Sequence, residues 1–405
     1  MKILFFSTGM GLGGAEVQIC DLAAKLTAQD HEVHVAWMSG EAVVALPAGV
    51  IGHPFRINKT PWGVVKALWI LYSLVQKIRP DIVHSHMVHA NLIARFTKAA
   101  TGFDTPLICT AHNSIEGGKL SVLAYRLTDR FADLTTNVSD HAVNAFIDQG
   151  ASVPSRITAV HNGIDIERFA PDMFQRNTQR QILGLSDKFV ILIVGRLEYQ
   201  KNHESLLRAY AKTCAFNSEI HLCIVGYGSL EAQLKALVRD LGIAHQVSFL
   251  GARQDTPALF NAADCVVMSS RFEGFGLVLA EAMACGKFII ATDCGGITST
   301  IKNVNQRVGV VVPIEDDEAL EAALKTVIDM PHNVLLEAGL KAREFVIDRY
   351  SIDVITAQWL EIYESHRDST KGSDVSQISR TSYKSENHPR HGSTSLDCAA
   401  KNEKN

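Results

Sequence analysis

Short apolar runs recur along this chain, and stretches with a helical period of apolar positions separate them. The first series of runs is Lys2–Ser7, His31–Met38, Asp81–Ser85, Pro106–His112, Leu134–Ser139 and Ile157–His161. Helical periodicity fills the intervals, from the first glycine loop to about Gln29, then over Pro61–Arg79, His89–Ala100, Leu120–Ala132 and Asp140–Asp148. A second series follows at Phe189–Val194, Ile220–Val225, Gln246–Leu250, Cys265–Ser269, Phe288–Thr292 and Val308–Val312. Strands alternating with helices predict parallel sheets covered on both faces. Two such series predict two doubly wound α/β domains, residues 1–165 and 189–350, facing a central cleft into which the carboxyl ends of the strands point. The stretch 166–188 is polar, contains Pro171 and has no clear period, so it reads as a linker. Ile352 to about His366 is the last helical segment, and residues 368–405 are too poor in apolar side chains to bury a core and are expected to be disordered.

Composition narrows this picture rather than changing it. The 405 residues are 47% hydrophobic and 20% charged, ordinary values for a globular protein of two or three domains. A formal net charge of −4 gives no global basic character for nucleic acid. The eight cysteines are scattered without CxxC pairs, which favours reduced, buried thiols in a cytoplasmic protein. The apolar start at Met1 runs straight into a glycine loop and reads as a first strand, not a signal peptide. The apolar run Ala67–Val75 is too short to span a bilayer.

Candidate chemistry concentrates in Ser270–Gly286. Gly274 and Gly276 permit a tight turn and a close ligand, and the residues from Leu277 onward are strong helix formers. The amides near Gly276, Leu277 and Val278 are the unpaired donors of a helix start, a place that suits phosphate. Glu273 precedes that start and Glu281 lies about one turn inside the helix. Two acceptor-only carboxylates beside an anion site suit a ligand with a phosphate centre flanked by hydroxyl groups, as in a nucleoside-diphosphate sugar.

Arg196 and Lys201 follow the first strand of the second half in Gly195–Asn202 and offer a planar fork and a compact charge at the same cleft edge. His112 ends a strand in Thr110-Ala111-His112-Asn113, and Asn162 ends another in His161-Asn162-Gly163. Gly13 and Gly14 close the first strand-to-helix loop. That loop could suggest a dinucleotide, but the second strand ends Trp37-Met38-Ser39-Gly40, without the acid a ribose would need. Val225–Gly228 and Leu250–Arg253 are further strand ends, either simple turns or ligand contacts. His84 and His86 would share one strand face, yet no third ligand of suitable spacing accompanies them, so a polar cleft rim is favoured over a metal site.

Glu273 and Glu281, with seven residues between them, inside Glu-Gly-Phe-Gly and before Ala-Met-Ala-Cys-Gly, resemble the signature of the retaining GT-B glycosyltransferases of group 1. The Gly-Gly-Ala-Glu loop and the Arg196–Lys201 run resemble the same family, over Met1 to about His366. The resemblance implies two Rossmann-like domains and a terminal helix that crosses back to the first. It also implies transfer with retention of configuration and no metal or other cofactor. By that resemblance Arg196, Lys201, Leu277 and Val278 hold the donor diphosphate, Glu281 the ribose and Glu273 the sugar. His112 then approaches the transferred sugar, Gly13, Gly14 and Asn162 line the cleft, and Arg253 borders the base, with Gly274, Phe275 and Gly276 shaping the turn.

The expected reaction moves a hexose or N-acetylhexosamine from a nucleoside-diphosphate sugar, a UDP-sugar foremost, to a saccharide or lipid-linked acceptor in surface-polysaccharide synthesis at the cytoplasmic side of the inner membrane. A sugar-nucleotide 2-epimerase on the same architecture, or a non-catalytic sugar-nucleotide binder, are the alternatives. Pro61–Arg79, with Trp62, Trp69 and Tyr72 set against Lys66, Lys77 and Arg79, reads as a domain-packing helix or as a surface touching an anionic bilayer.

Overall fold

Residues 1–11, 13–57, 60–114, 117–214, 217–302 and 308–370 are described by a computed structural model of the chain. The apolar runs become buried strands because side chains on both faces of a parallel sheet must be covered. In the first half these are β1 (Lys2–Ser7), β2 (Glu32–Trp37), β3 (Ile51–Pro54), β4 (Ile82–His86), β5 (Leu107–Ala111), β6 (Leu134–Asn137) and β7 (Ile157–Ala159). Helices α1 (Gly14–Ala28), α2 (Pro61–Ile78), α3 (Val88–Thr101), α4 (Lys119–Thr128) and α5 (Asp140–Asp148) connect them. All pairings are parallel, in the order β3-β2-β1-β4-β5-β6-β7.

The second half repeats the plan. Its strands are β8 (Phe189–Val194), β9 (Ile220–Val225), β10 (Val247–Gly251), β11 (Cys265–Met268), β12 (Phe288–Thr292) and β13 (Gly309–Val312), preceded by α6 (Met173–Leu183). The sheet runs β10-β9-β8-β11-β12-β13. Helices α7 (His203–Cys214), α8 (Glu231–Asp240), α9 (Thr256–Ala262), α10 (Leu277–Ala284), α11 (Ile297–Lys302), α12 (Asp317–Ile328) and α13 (His332–Tyr350) cover it. In each sheet the strand order reverses beside the first strand of the half, which opens a crevice at the carboxyl ends.

Four segments depart from expectation. The polar stretch read as a linker carries α6, capped by the Asp172 carboxylate at 2.9 Å from Gln175 N and closed by Gly184 in the left-handed region. That helix is held by charge: Arg176 and Arg180 both reach Asp264 and donate to carbonyls of residues 261–263. Strand β3 was not anticipated. The helix read as Leu120–Ala132 ends at Thr128 and tightens into a 3-10 turn, Asp129–Phe131. The last helix, α14 (Ile352–Thr370), runs four residues beyond His366, and residues 371–405 of the expected disordered tail lie outside the described residues.

Helix α14 returns to the first half. Trp359 and Tyr363 are 5% and 0% exposed within the same core as Ile3 and Phe5, and Lys25 Nζ of α1 meets Asp353 Oδ1 at 2.8 Å. Where the chain passes between halves its two crossings are bonded together, Ile164 N to Tyr350 O at 2.7 Å and Ile352 N to Ile164 O at 2.8 Å. Cys20, Cys109, Cys223, Cys265, Cys285 and Cys294 are free and buried. Among the described residues no helix is long and apolar enough to cross a membrane.

Candidate active site

Strand β11 delivers Ser269 and Ser270 to the crevice, and the Arg271–Gly276 loop then turns into α10. Gly276 makes that turn with φ +91°, a conformation other residues adopt only with strain. Leu277 and Val278 are the first residues of the helix, so their amides have no acceptor inside it. The helix dipole adds partial positive charge at the same point.

The loop carries the central ion pair of the site. Lys201 Nζ lies 2.5 Å from Glu273 Oε1, with side chains 16% and 9% exposed, and Ser270 Oγ donates to the same oxygen at 2.6 Å. The Glu273 amide donates to Cys294 O at 3.1 Å. One carboxylate oxygen thus takes both side-chain donors while the backbone bond fixes the residue that carries it, and the lysine ammonium is paired while no anion competes for it. Arg196 is exposed nearby, 3.4 Å from Gln200 Oε1, and Gln200 in turn donates to Phe272 O at 2.9 Å. Sequence reasoning brought Arg196, Lys201 and Glu273 to one edge, and the geometry does likewise.

The first half closes on this loop at three points. A Cβ at Gly274 would lie 2.2 Å from the carbonyl oxygen of His112, so only glycine permits the approach. Ser139 Oγ donates to Gly274 O at 2.6 Å while accepting from Ala142 N at 3.1 Å as the N-cap of α5. Gly14 faces Leu277, whose Cδ1 lies 2.7 Å from where a Cβ would sit. Gly13 caps α1 beside the Glu16 carboxylate. Phe275, 2% exposed, packs against Tyr350 and His161 at ring distances of 5.2 and 5.9 Å. Asn162 is buried one residue beyond His161.

His112 Nε2 and His86 Nδ1 share a hydrogen bond of 3.0 Å. Burial pushes the His112 imidazole down to about 4, so near pH 7 it is neutral and can donate from one ring nitrogen and accept at the other. His84 and His86 do share a strand face, their rings 4.0 Å apart. Both nitrogens of His84 are engaged, by Tyr363 Oη at 2.7 Å and Thr110 Oγ1 at 2.6 Å. His86 thus supports His112, while His84, 0% exposed, is held in the interior by Tyr363 and Thr110 and does not reach the cleft rim. Among the described residues no group of three or more histidine, cysteine or acidic side chains is arranged to hold a metal ion.

Glu281 sits partly buried on α10, and desolvation raises its carboxyl to about 8, against the lowering influence of Arg168. Among the described residues it takes part in no ion pair, whereas Arg168 is committed to Asp21 at 3.0 and 3.3 Å. Arg253, just after β10, forks onto Asp255 at 2.7 and 2.5 Å, so one edge of its guanidinium is already committed. Sequence reasoning missed Ser139, Ser270 and the supporting role of His86. Ser139 had a local signal, a serine before Asp140 at a helix start, but its partner across the crevice had none.

Comparison with known proteins places this geometry. The family described as Glycosyl transferases group 1 matches residues 175–344, and the one described as Glycosyltransferase Family 4 matches residues 12–168. An Escherichia coli UDP-Gal:alpha-D-GlcNAc-diphosphoundecaprenol alpha-1,3-galactosyltransferase is 29% identical over 305 residues, 71% of this chain and 76% of that protein. The D-inositol 3-phosphate glycosyltransferase of Mycobacterium tuberculosis is 33% identical over 245 residues, 55% of this chain; the match spans about half, 49%, of that protein. The Anabaena protein Alr3699/HepE, solved in complex with UDP-glucose, superposes with a TM-score of 0.77 at 23% identity, covering 90% of this chain and 100% of that one. WaaG, a glycosyltransferase involved in lipopolysaccharide biosynthesis, superposes at 0.69 with 20% identity, over 92% and 100%. The two family matches meet near the crossing between the sheets and together take in both walls of the crevice, and the chain belongs to the group 1 glycosyltransferases with a GT-B fold.

Proposed function

We propose that this glycosyltransferase moves a hexose or N-acetylhexosamine from a UDP-sugar to a saccharide or lipid-linked oligosaccharide in surface-polysaccharide synthesis, with retention of configuration and without a metal. The observation that carries the proposal is the Lys201–Glu273–Ser270 cluster at the start of α10, directly opposite His112. A donor diphosphate draws Lys201 Nζ toward its oxygens, joined by Arg196 and the amides of Leu277 and Val278. These groups stabilise the charge that develops on the leaving phosphate. Glu273, still held by Ser270, accepts hydrogen bonds from the sugar hydroxyls, and Glu281 does so from the ribose. Neutral His112, oriented by His86, positions the sugar. With no side chain offered as a nucleophile, the acceptor hydroxyl attacks from the leaving-group side and passes its proton to the departing phosphate. The enzyme works in the cytoplasm, where a lipid-linked acceptor is met at the inner membrane. The E. coli relative's acceptor, as its name gives it, and the group 1 family support that choice of substrates.

The test is a donor screen with purified protein, following UDP release with and without lipid-diphosphate sugar acceptors and reading the product's anomeric configuration by NMR. Acceptor-dependent release with retention is expected. Formation of an epimer from UDP-GlcNAc alone, or an inverted product, would overturn the reading.

A further inference from the structure

Helices α2, α3 and α4 lie side by side on one face of the first sheet, with α3 touching both neighbours. Each is the next helix after the carboxyl end of a strand, β3, β4 and β5 in turn, so the trio starts on the crevice side of the sheet. None of the three contains an aspartate or glutamate, although the whole chain has 43 acidic residues against 39 lysines and arginines. Their outward sides are also unusually apolar. Trp62 and Trp69 of α2 are 82% and 68% exposed, Phe96 of α3 is 47% exposed, and Leu120, Leu123 and Leu127 of α4 are 82%, 49% and 64% exposed. The leucine spacing of three and four residues puts all three on one stripe of α4. The opposite side of α4, with Tyr125 and Thr128, is what meets the core. Lys66, Lys119 and Arg126 are exposed among these side chains, and none forms an ion pair among the described residues.

A solvent-facing apolar stripe is unfavourable in water, and a cationic surface without acids has no internal counter-charge. Both conditions are relieved by one partner: aromatic and leucine side chains enter the boundary between headgroups and acyl chains, while lysine and arginine heads meet lipid phosphates. We propose that the α2–α3–α4 face seats the enzyme on an anionic bilayer, with the crevice edge turned toward the lipid surface. This deepens the proposed function by stating which face a lipid-linked acceptor would approach. Vesicle binding requires no turnover, so the two readings fail separately.

The experiment is cosedimentation of the full chain with vesicles of phosphatidylcholine, with and without phosphatidylglycerol. Binding is expected to require phosphatidylglycerol and to weaken with added salt. W62S/W69S and L120S/L127S should each reduce it. K66Q/R126Q should reduce it about thirtyfold, on the scale of about 1 kcal/mol for each surface cation removed. All three variants should keep UDP affinity and thermal stability, because the changed side chains are exposed. No sedimentation with phosphatidylglycerol vesicles, or equal binding by all variants, would overturn the proposal. So would a stable dimer in light scattering that W62S/W69S converts to monomer, since the face would then cover a second copy.

Discussion

Replacing Ser139 by alanine separates closure of the two halves from donor binding. The Ser139 hydroxyl is 2% exposed and has two tasks, donating to Gly274 O at 2.6 Å across the crevice and capping α5. Losing the cap costs about 1 kcal/mol of stability. Leaving the Gly274 carbonyl buried without a donor costs about 1–3 kcal/mol, but only in the closed arrangement that brings His112 to the loop. At about 1.4 kcal/mol per tenfold, kcat/KM should fall roughly 5- to 140-fold. UDP affinity by calorimetry should stay near wild type, since the residues proposed to hold UDP belong to the second half. Ser139→Thr keeps the hydroxyl for both tasks and should recover most of kcat. If Ser139→Ala lowers stability in urea while leaving kcat and KM unchanged, Ser139 is a helix cap alone and the cross-crevice bond contributes nothing to turnover.

Three further outcomes follow from the geometry. Lys201→Ala removes the cation nearest the leaving phosphate and should lower kcat about 100- to 1,000-fold, with Lys201→Arg recovering little because Glu273 Oε1 and Ser270 fix a compact pocket; a tenfold loss or less would remove Lys201 from the charge-stabilising role. Glu281 is raised to about 8 by burial, so the unliganded fold favours its protonated form and loses stability as pH rises from the ordinary carboxyl range through about 8. Glu281→Gln should flatten the decline of melting temperature between pH 5 and 9, read by scanning fluorimetry, and weaken UDP binding; an unchanged slope refutes the burial argument. Trp359→Ala in α14 should cost about 3–5 kcal/mol in urea unfolding by opening a cavity beside His84, and Tyr363→Phe about 1 kcal/mol through its lost hydrogen bond.

The sheets were legible in the sequence wherever a strand is covered on both faces. β1, β8, β9 and β12 are predominantly apolar runs, and their limits coincide with those read from the pattern. Strand β3 escaped because it is a mostly exposed edge carrying Gly52 and Pro54 and so has no apolar alternation to detect. Helix α6 escaped for a related reason, since arginines rather than an apolar stripe fix it to its neighbours, although its caps at Asp172 and Gly184 were in plain view. Within the site, Glu273, Lys201 and His112 could be named because each follows a strand at the crevice edge. The ion pair between Lys201 and Glu273, and the bonds from Ser139 and His86, could not, because strand order and not sequence distance makes those side chains neighbours.

Helix α14 also constrains how the polypeptide can be made. Trp359 and Tyr363 complete the hydrophobic layer beneath β1 and β4, so the amino-terminal lobe lacks part of its own interior until the ribosome has finished nearly everything else. Expressed by itself that lobe would be left with an uncovered greasy groove, and the lobes cannot be exchanged between relatives without carrying the final helix along with the first.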